Sequence, residues 1–261
     1  GGRGMRDRYG MVGVRVEDGV LVATLDRPDK LNAMTATFWD DLRALLDDAE
    51  ADRDVRVLVV HGAGRCFCAG GDIEGFGDLD DVPSRRRYQR AAFDAFRTFE
   101  VFPKPTIAAV HGFALGGGCE LTMVTDIVIA DTTASFGTPE AAVGLMPGLG
   151  VVRGHANTNL HWLKHMVFTG ERLGAEDARL AGLVTHVVPE GQHLEEALRQ
   201  AKLAASRPAV ALQVAKAILN RGSAEGYDYS LEATALLHGT EDQTEGVTAF
   251  KERRPPRFQD R

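Results

Sequence analysis

The sequence predicts a mixed α/β fold with a largely parallel sheet and a helical C-terminal part. Three observations carry that prediction. Val55–Val60 and Thr106–Val110 are near-continuous apolar runs rich in β-branched residues, the pattern of strands buried on both faces. Thr106 to Ala130 reads strand, glycine turn, helix, strand, the unit from which parallel sheets are built. From Leu194 to Phe250 the pattern is helical, broken near Pro208 and around Arg221-Gly222-Ser223.

Taken in order, Val12–Val16 and Val20–Leu25 are short β-branched runs joined across Glu17-Asp18-Gly19, which predicts a hairpin around an Asp-Gly turn. Arg27-Pro28-Asp29 ends the second strand. Thr35 is the expected N-cap of a helix running to about Asp52, with Phe38, Leu42, Leu45, Leu46 and Ala49 on one face. The strand at 55–60 leads into GAGRCFCAGGDIEGFGD, a glycine-rich loop that either offers backbone N–H groups to a ligand or simply connects. Pro83 to Phe102 is amphipathic, with Tyr88, Ala92, Phe96 and Phe99 inward and an Arg-rich opposite face, Arg85-Arg86-Arg87, that reads as solvated or as a phosphate contact. Pro103 and Pro105 stop that helix. Gly116-Gly117-Gly118 opens a helix from Cys119 to about Thr125, and Ile127–Ala130 is a strand. A helix from about Val151 to Phe168 precedes the last clear strand, Leu183–Val188.

Composition narrows the class. At 261 residues and 44% hydrophobic, the chain can bury a sizeable core. A formal charge of −7 argues against a general nucleic-acid or membrane-surface binder. Cys66, Cys68 and Cys119 are odd in number, which fits buried thiols in a reducing compartment better than a disulfide framework. The Cys-x-Cys pair lacks the second pair a metal site needs. GGRGMRDRYG has no apolar signal region, and the apolar stretch 106–130 is interrupted by His111, Glu120 and Asp126. The expectation is a cytoplasmic protein without a membrane span.

The chemistry gathers in the stretch from Lys104 to Gly148. The Gly117 N–H falls in the first turn of a helix, where backbone donors lack internal partners and the dipole is positive. Glu120 lies in the same turn, where a carboxylate is electrostatically favoured. Taken alone it reads equally well as a helix-start residue, and Glu140 after Pro139 as an exposed turn residue. Together with two glycine-rich loops they describe an acid–base site beside an anion hole.

CFCAGGDI at 66–73, AAVHGFALGGGCEL at 108–121 and PEAAVGLMPG at 139–148 resemble the enoyl-CoA hydratase/isomerase family, the crotonase superfamily. RPDKLNA at 27–33, FTGERLGAEDARLAGLV at 168–184 and EGVTAFKERRPPRF at 245–258 match it in the same order. The resemblance implies an α/β spiral of ββα repeats over residues 1–195 and a helical trimerisation region over 196–261. Homotrimers or dimers of trimers are implied, with an acyl-CoA substrate and no separate cofactor. Position by position, it puts the oxyanion hole on Gly71 and Gly117 and the hydratase glutamates on Glu120 and Glu140. Glu120 would activate water and Glu140 would supply the C2 proton. Lys30, Leu31, Ala69, Asp72 and Ile73 fall where the family grips coenzyme A. Phe250 and Arg253 fall where a neighbouring subunit closes over the nucleotide, arginine standing where lysine is frequent.

One region departs from the family pattern. LGVVRGHANTNLHWLKH follows Pro147-Gly148, so the acyl group is not fixed by the resemblance. His155, His161 and His165 lie there without an acidic residue to complete a metal set, and read as helix-surface or pocket histidines. Asp126 and Asp131 read as structural turn acids. The leading expectation is hydration of a 2-enoyl-CoA. The alternative is an enoyl-CoA isomerase or another acyl-CoA reaction of the superfamily, and a non-catalytic scaffold or RNA-binding relative is disfavoured by both glutamates and the acidic charge.

Overall fold

The computed structural model describes residues 5–72, 82–143, 145–221 and 240–261. Its main sheet has seven strands in the order β1 (Arg8–Tyr9), β2 (Val12–Glu17), β3 (Val20–Leu25), β4 (Val57–Gly62), β5 (Thr106–Val110), β7 (Ile127–Asp131) and β10 (His186–Val188). The first three strands are antiparallel, and every pairing from β3 to β10 is parallel. The β2–β3 hairpin turns where predicted, with Asp18 and Gly19 both left-handed at φ +52° and +78°.

Alternate residues of the parallel strands face two cores. Leu21, Leu58, Val60, Ala108, Val110 and Val128 pack toward α1 (Phe38–Ala51) and α2 (Val82–Val101), against Phe38, Leu45, Phe96 and Phe99. Val20, Val22, Val57, Val59, Ile107, Ala109 and Ile129 face α7 (His193–Ala205) through Ala197 and Ala201. Burial on both faces is why these strands read as unbroken apolar runs.

Three expectations are revised. Helix α1 starts at Phe38 with Thr37 as its N-cap, so Thr35 precedes the cap; the Thr37 hydroxyl donates to Asp41 at 2.8 Å. The helix expected from Val151 to Phe168 is two, α4 (Gly150–Asn157) and α5 (Leu160–Thr169), because Thr158 turns extended and Asn159 caps the second through His161 N–H. The last strand is shorter, at 186–188. A second, three-stranded sheet joins β6 (Phe113–Leu115), β8 (Ser135–Gly137) and β9 (Leu173–Gly174). Helices α6 (Ala175–Leu180), α8 (Ala209–Leu219) and α9 (Glu241–Glu252) complete the described elements.

Beyond α9 the chain doubles back. Asp242 accepts Gln259 and Asp260 N–H at 2.5 and 2.6 Å, while the Asp260 carboxylate pairs with Arg56 and caps Ala209 N–H at 3.0 Å.

Candidate active site

Two glycine-bearing loops are laced side by side. Cys68 N–H donates to Phe113 O at 2.8 Å and Leu115 N–H donates to Cys68 O at 2.9 Å, so Ala69–Gly71 runs beside Leu115–Gly117. The close approach explains two glycines. Gly116 has φ +52°, and a Cβ there would sit 3.2 Å from Glu140 Oε1. A Cβ on Gly118 would lie 2.5 Å from Cys68 O, so any side chain would push α3 (Gly117–Met123) away from the loop. Gly117 is the first residue of α3, and neither its N–H nor that of Gly71 donates to another backbone group among the described residues.

Asn32 holds the outer wall. It is fully buried and left-handed at φ +56°, and the half-buried Leu31 before it is left-handed too, at φ +52°. Its amide donates to Ala63 O at 2.8 Å, Cys66 O at 2.9 Å and Phe67 O at 3.2 Å, and its carbonyl accepts Arg27 N–H at 2.9 Å. These bonds over-determine a backbone that a leucine and an asparagine adopt at some cost. Ala69 N–H then donates to Leu31 O and Met34 N–H to Gly70 O, at 3.0 and 2.8 Å. Lys30, Leu31, Ala69 and Asp72 therefore lie on contiguous backbone. Lys30 is exposed, and the Asp72 carboxylate pairs with Arg27 at 2.7 Å. Ile73 and the Phe250 side chain lie outside the described residues. Arg253 is exposed just past α9 and is not among the described residues lining the cavity below.

Beside the glycines is a cavity of about 320 Å³. Gly71, Gly117, Glu120 and Glu140 all line it, with Ala69 at its edge. Its walls are largely apolar: Trp39 from α1, Ala92, Phe93 and Phe96 from α2, and Leu145, Met146 and Leu149 from the loop before α4. Trp39 and Phe96 pack with ring centroids 4.9 Å apart.

The two acids are held differently. Glu120 is 7% exposed, and both of its bonds land on one oxygen: Leu149 and Gly150 N–H each donate to Oε1 at 2.9 Å. Glu120 thereby caps α4, whose own N-cap, Leu149, has no capping side chain. Burial pushes Glu120 up to about 7, with the Glu140 charge adding to it against the two amides. Glu140 sits in the short 3-10 turn Pro139–Val143; its Oε2 is buried and accepts no hydrogen bond among the described residues, and burial raises it as well. Two neighbouring acids that resist ionisation can hold one proton between them and exchange it with a bound molecule.

The structure gives the remaining candidates structural contacts. Asp126 pairs with Lys216 at 2.7 Å and accepts Thr106 N–H at 2.8 Å. Asp131 accepts Thr133 N–H and hydroxyl, Gly191 N–H and His193 Nδ1–H. His155 and His161 are exposed, and His165 meets Glu171 at 3.2 Å. No metal-holding cluster occurs among the described residues, and no described helix is long and apolar enough to cross a membrane. Sequence reasoning missed Asn32, whose only signal is its place in RPDKLNA; Tyr88, expected to face inward, packs against the core and also lines the cavity.

Comparison with known proteins agrees with this architecture. The protein-family model described as Enoyl-CoA hydratase/isomerase matches residues 15–261. A Rhizobium meliloti protein named probable enoyl-CoA hydratase is 38% identical, the match covering 95% of this chain and 97% of that one. The short-chain-enoyl-CoA hydratase of Clostridium acetobutylicum is 35% identical over 91% of this chain and 93% of its own. Among solved structures, the enoyl-CoA hydratase from Bacillus anthracis superposes with a TM-score of 0.91 at 29% identity, covering 96% of this chain and all of that one. On sequence and on a crotonase-type fold, this chain belongs to the enoyl-CoA hydratase/isomerase family.

Proposed function

We propose that the protein hydrates 2-enoyl-CoA thioesters, with Glu120 and Glu140 as the acid–base pair and the Gly71 and Gly117 N–H groups as the oxyanion hole. The observation that carries this reading is that all four groups line one cavity. The thioester carbonyl accepts hydrogen bonds from the two amides, which strengthen as enolate charge develops; one such donor is worth about 3–4 kcal/mol of barrier. Water rests between the glutamates. Glu120 takes its proton as the oxygen adds to C3, and Glu140 gives a proton to C2. A Glu120 ionisation near 7 suits an acid that must accept and return a proton at neutral pH. Glu120 Oε1 is occupied by two amides, so the proton travels through Oε2.

Lys30, Leu31, Ala69, Asp72 and Ile73 form the nucleotide-side grip in this reading, and Phe250 and Arg253 close over it from a neighbouring subunit of a trimer through the 196–261 region. Coenzyme A is part of the substrate, and the reaction uses no other cofactor. The assay is loss of the conjugated thioester absorbance of a short 2-enoyl-CoA. The parent is active, and Glu120→Gln and Glu140→Gln each lose about a hundred- to ten-thousand-fold. A near-parental Glu120→Gln rate would sink the two-glutamate assignment. A parent silent on 2-enoyl but active on 3-enoyl thioesters would make it an isomerase.

A further inference from the structure

We propose that Asn32 is a positioning residue for the oxyanion hole: its side chain clamps the loop at 63–67 so that the Gly71 N–H faces the substrate carbonyl. The proposal rests on the hydratase reading of the same cavity and on the role given there to Gly71.

Register sets the direction of the Gly71 N–H. Met34 N–H donates to Gly70 O at 2.8 Å and Asp72 N–H donates to Met34 O at 3.0 Å, so the two bonds bracket Gly71 in a parallel pairing. A bracketed residue turns its own N–H and C=O away from the partner strand. Gly71 therefore points its N–H away from Met34, to the side on which Gly116 and Gly117 line the cavity. This pairing is an isolated bridge rather than a ladder, and it is reached through two left-handed residues, Leu31 and Asn32. So short a pairing needs outside support to keep the donor aimed.

Asn32 supplies that support. Its Oδ1 accepts Arg27 N–H and closes the turn on itself, while its Nδ2 reaches across to Ala63, Cys66 and Phe67 O, on the segment that leads into Cys68–Gly71. Its backbone oxygen accepts the Cys68 thiol at 3.1 Å. An acceptor at one end and a donor at the other is the chemistry of an amide; a carboxylate of the same shape would set an oxygen against three carbonyls. Asn32 is fully buried and is not among the described residues lining the cavity, so its effect on a substrate passes through the loop. A donor displaced by about 1 Å is enough to cost about a hundredfold in rate. Ground-state binding, shared with the rest of the thioester, changes less.

Asn32→Gly is the test, because glycine keeps the left-handed backbone and removes the clamp. Per folded molecule, kcat for a short 2-enoyl-CoA falls about tenfold to a hundredfold, while KM stays within about threefold of the parent. The second readout is the infrared carbonyl stretch of bound, carbon-13-labelled butyryl-CoA, a saturated thioester that cannot be hydrated. The parent lowers that stretch relative to the free thioester, and Asn32→Gly loses at least half of the shift. Asn32→Ser, which refills part of the space, carries the same two expectations should the glycine variant not fold. Parental kcat and carbonyl shift in a folded variant, or a loss confined to KM, would overturn the proposal. Failure of both variants to fold would overturn it too, leaving Asn32 a structural residue only. A parent that ignores 2-enoyl-CoA yet lowers the carbonyl stretch would defeat the hydratase reading separately, and the infrared comparison would still decide the role of Asn32. A parent that does not lower the stretch would remove the oxyanion hole and this proposal with it.

Discussion

Two buried carboxylates of this protein, Asp131 and Glu120, show how partners decide what a buried acid does. Asp131 is 1% exposed and accepts four hydrogen bonds, from Thr133 N–H and hydroxyl, Gly191 N–H and His193 Nδ1–H, between 2.6 and 3.1 Å. Burial alone would raise its ionisation, but those bonds and the histidine outweigh it and hold the carboxyl below the usual range. Glu120 is nearly as buried and has two amides on a single oxygen, and burial wins. A fully paired buried carboxylate is a structural joint. One left short of partners beside a cavity keeps a mobile proton.

The sharpest way to break the comparison is to weaken each acid as a partner. Asp131→Asn leaves Gly191 N–H or His193 facing an amide nitrogen, and costs about 3 kcal/mol or more in stability, read as a lower denaturant midpoint. The folded fraction should keep its turnover, because Asp131 is not among the described residues that line the cavity. Glu120→Gln does the reverse. A carboxyl raised from 4.5 to about 7 destabilises the fold as pH climbs through that window, so removing it stabilises the protein above pH 7 by about 3 kcal/mol. The gain vanishes below the ordinary carboxyl value. A variant that is catalytically dead and more stable would be the signature of a functional acid; a glutamine variant with no pH-dependent gain would put Glu120 in the same class as Asp131.

A third test uses the histidines around Asp131. His111 and His193 stack with centroids 4.4 Å apart, and His61, bonded to the Thr24 hydroxyl at 2.9 Å, is lowered to about 4, chiefly by burial. A histidine with a depressed folded value favours the fold while neutral. Its contribution is complete above the unfolded value of 6.5 and is lost as pH falls toward about 4. His61→Gln should flatten the stability profile across that interval by about 3 kcal/mol, measured by urea melts at successive pH values. An unchanged slope would mean that the acid side of the profile is set elsewhere. The smallest expected effect is Gly154→Ala on α4, where the new Cβ would lie 2.9 Å from a Leu163 methyl that can rotate away. About 1 kcal/mol is expected, and a larger loss would show that α4 is held rigidly against α5.

What could be read from the chain followed local physics. The Asp18-Gly19 hairpin, the double-sided strands at 57–62 and 106–110, and the glycine-opened helix carrying Glu120 each have a signal within a few residues. The strands of the second sheet span two or three residues, too short to show alternation. The break at Thr158 was hidden because apolar spacing continues on both sides, although Asn159 carried a capping signal. The site divides the same way. Glu120 and Gly117 are three positions apart on one helix, whereas the bond from Gly150 N–H to Glu120 spans thirty residues and the His193 contact to Asp131 sixty-two. Long-range partners set which acid is mobile, and no local pattern reports them.

The most direct measurement is a carbon-13 NMR titration of the glutamate carboxyls, with Glu120→Gln used to assign Glu120. The account predicts that Glu120 titrates near pH 7. Titration near the model-peptide value of about 4.3 would mean that its two amides satisfy it fully, and would remove the distinction from Asp131 on which its role as the mobile acid rests.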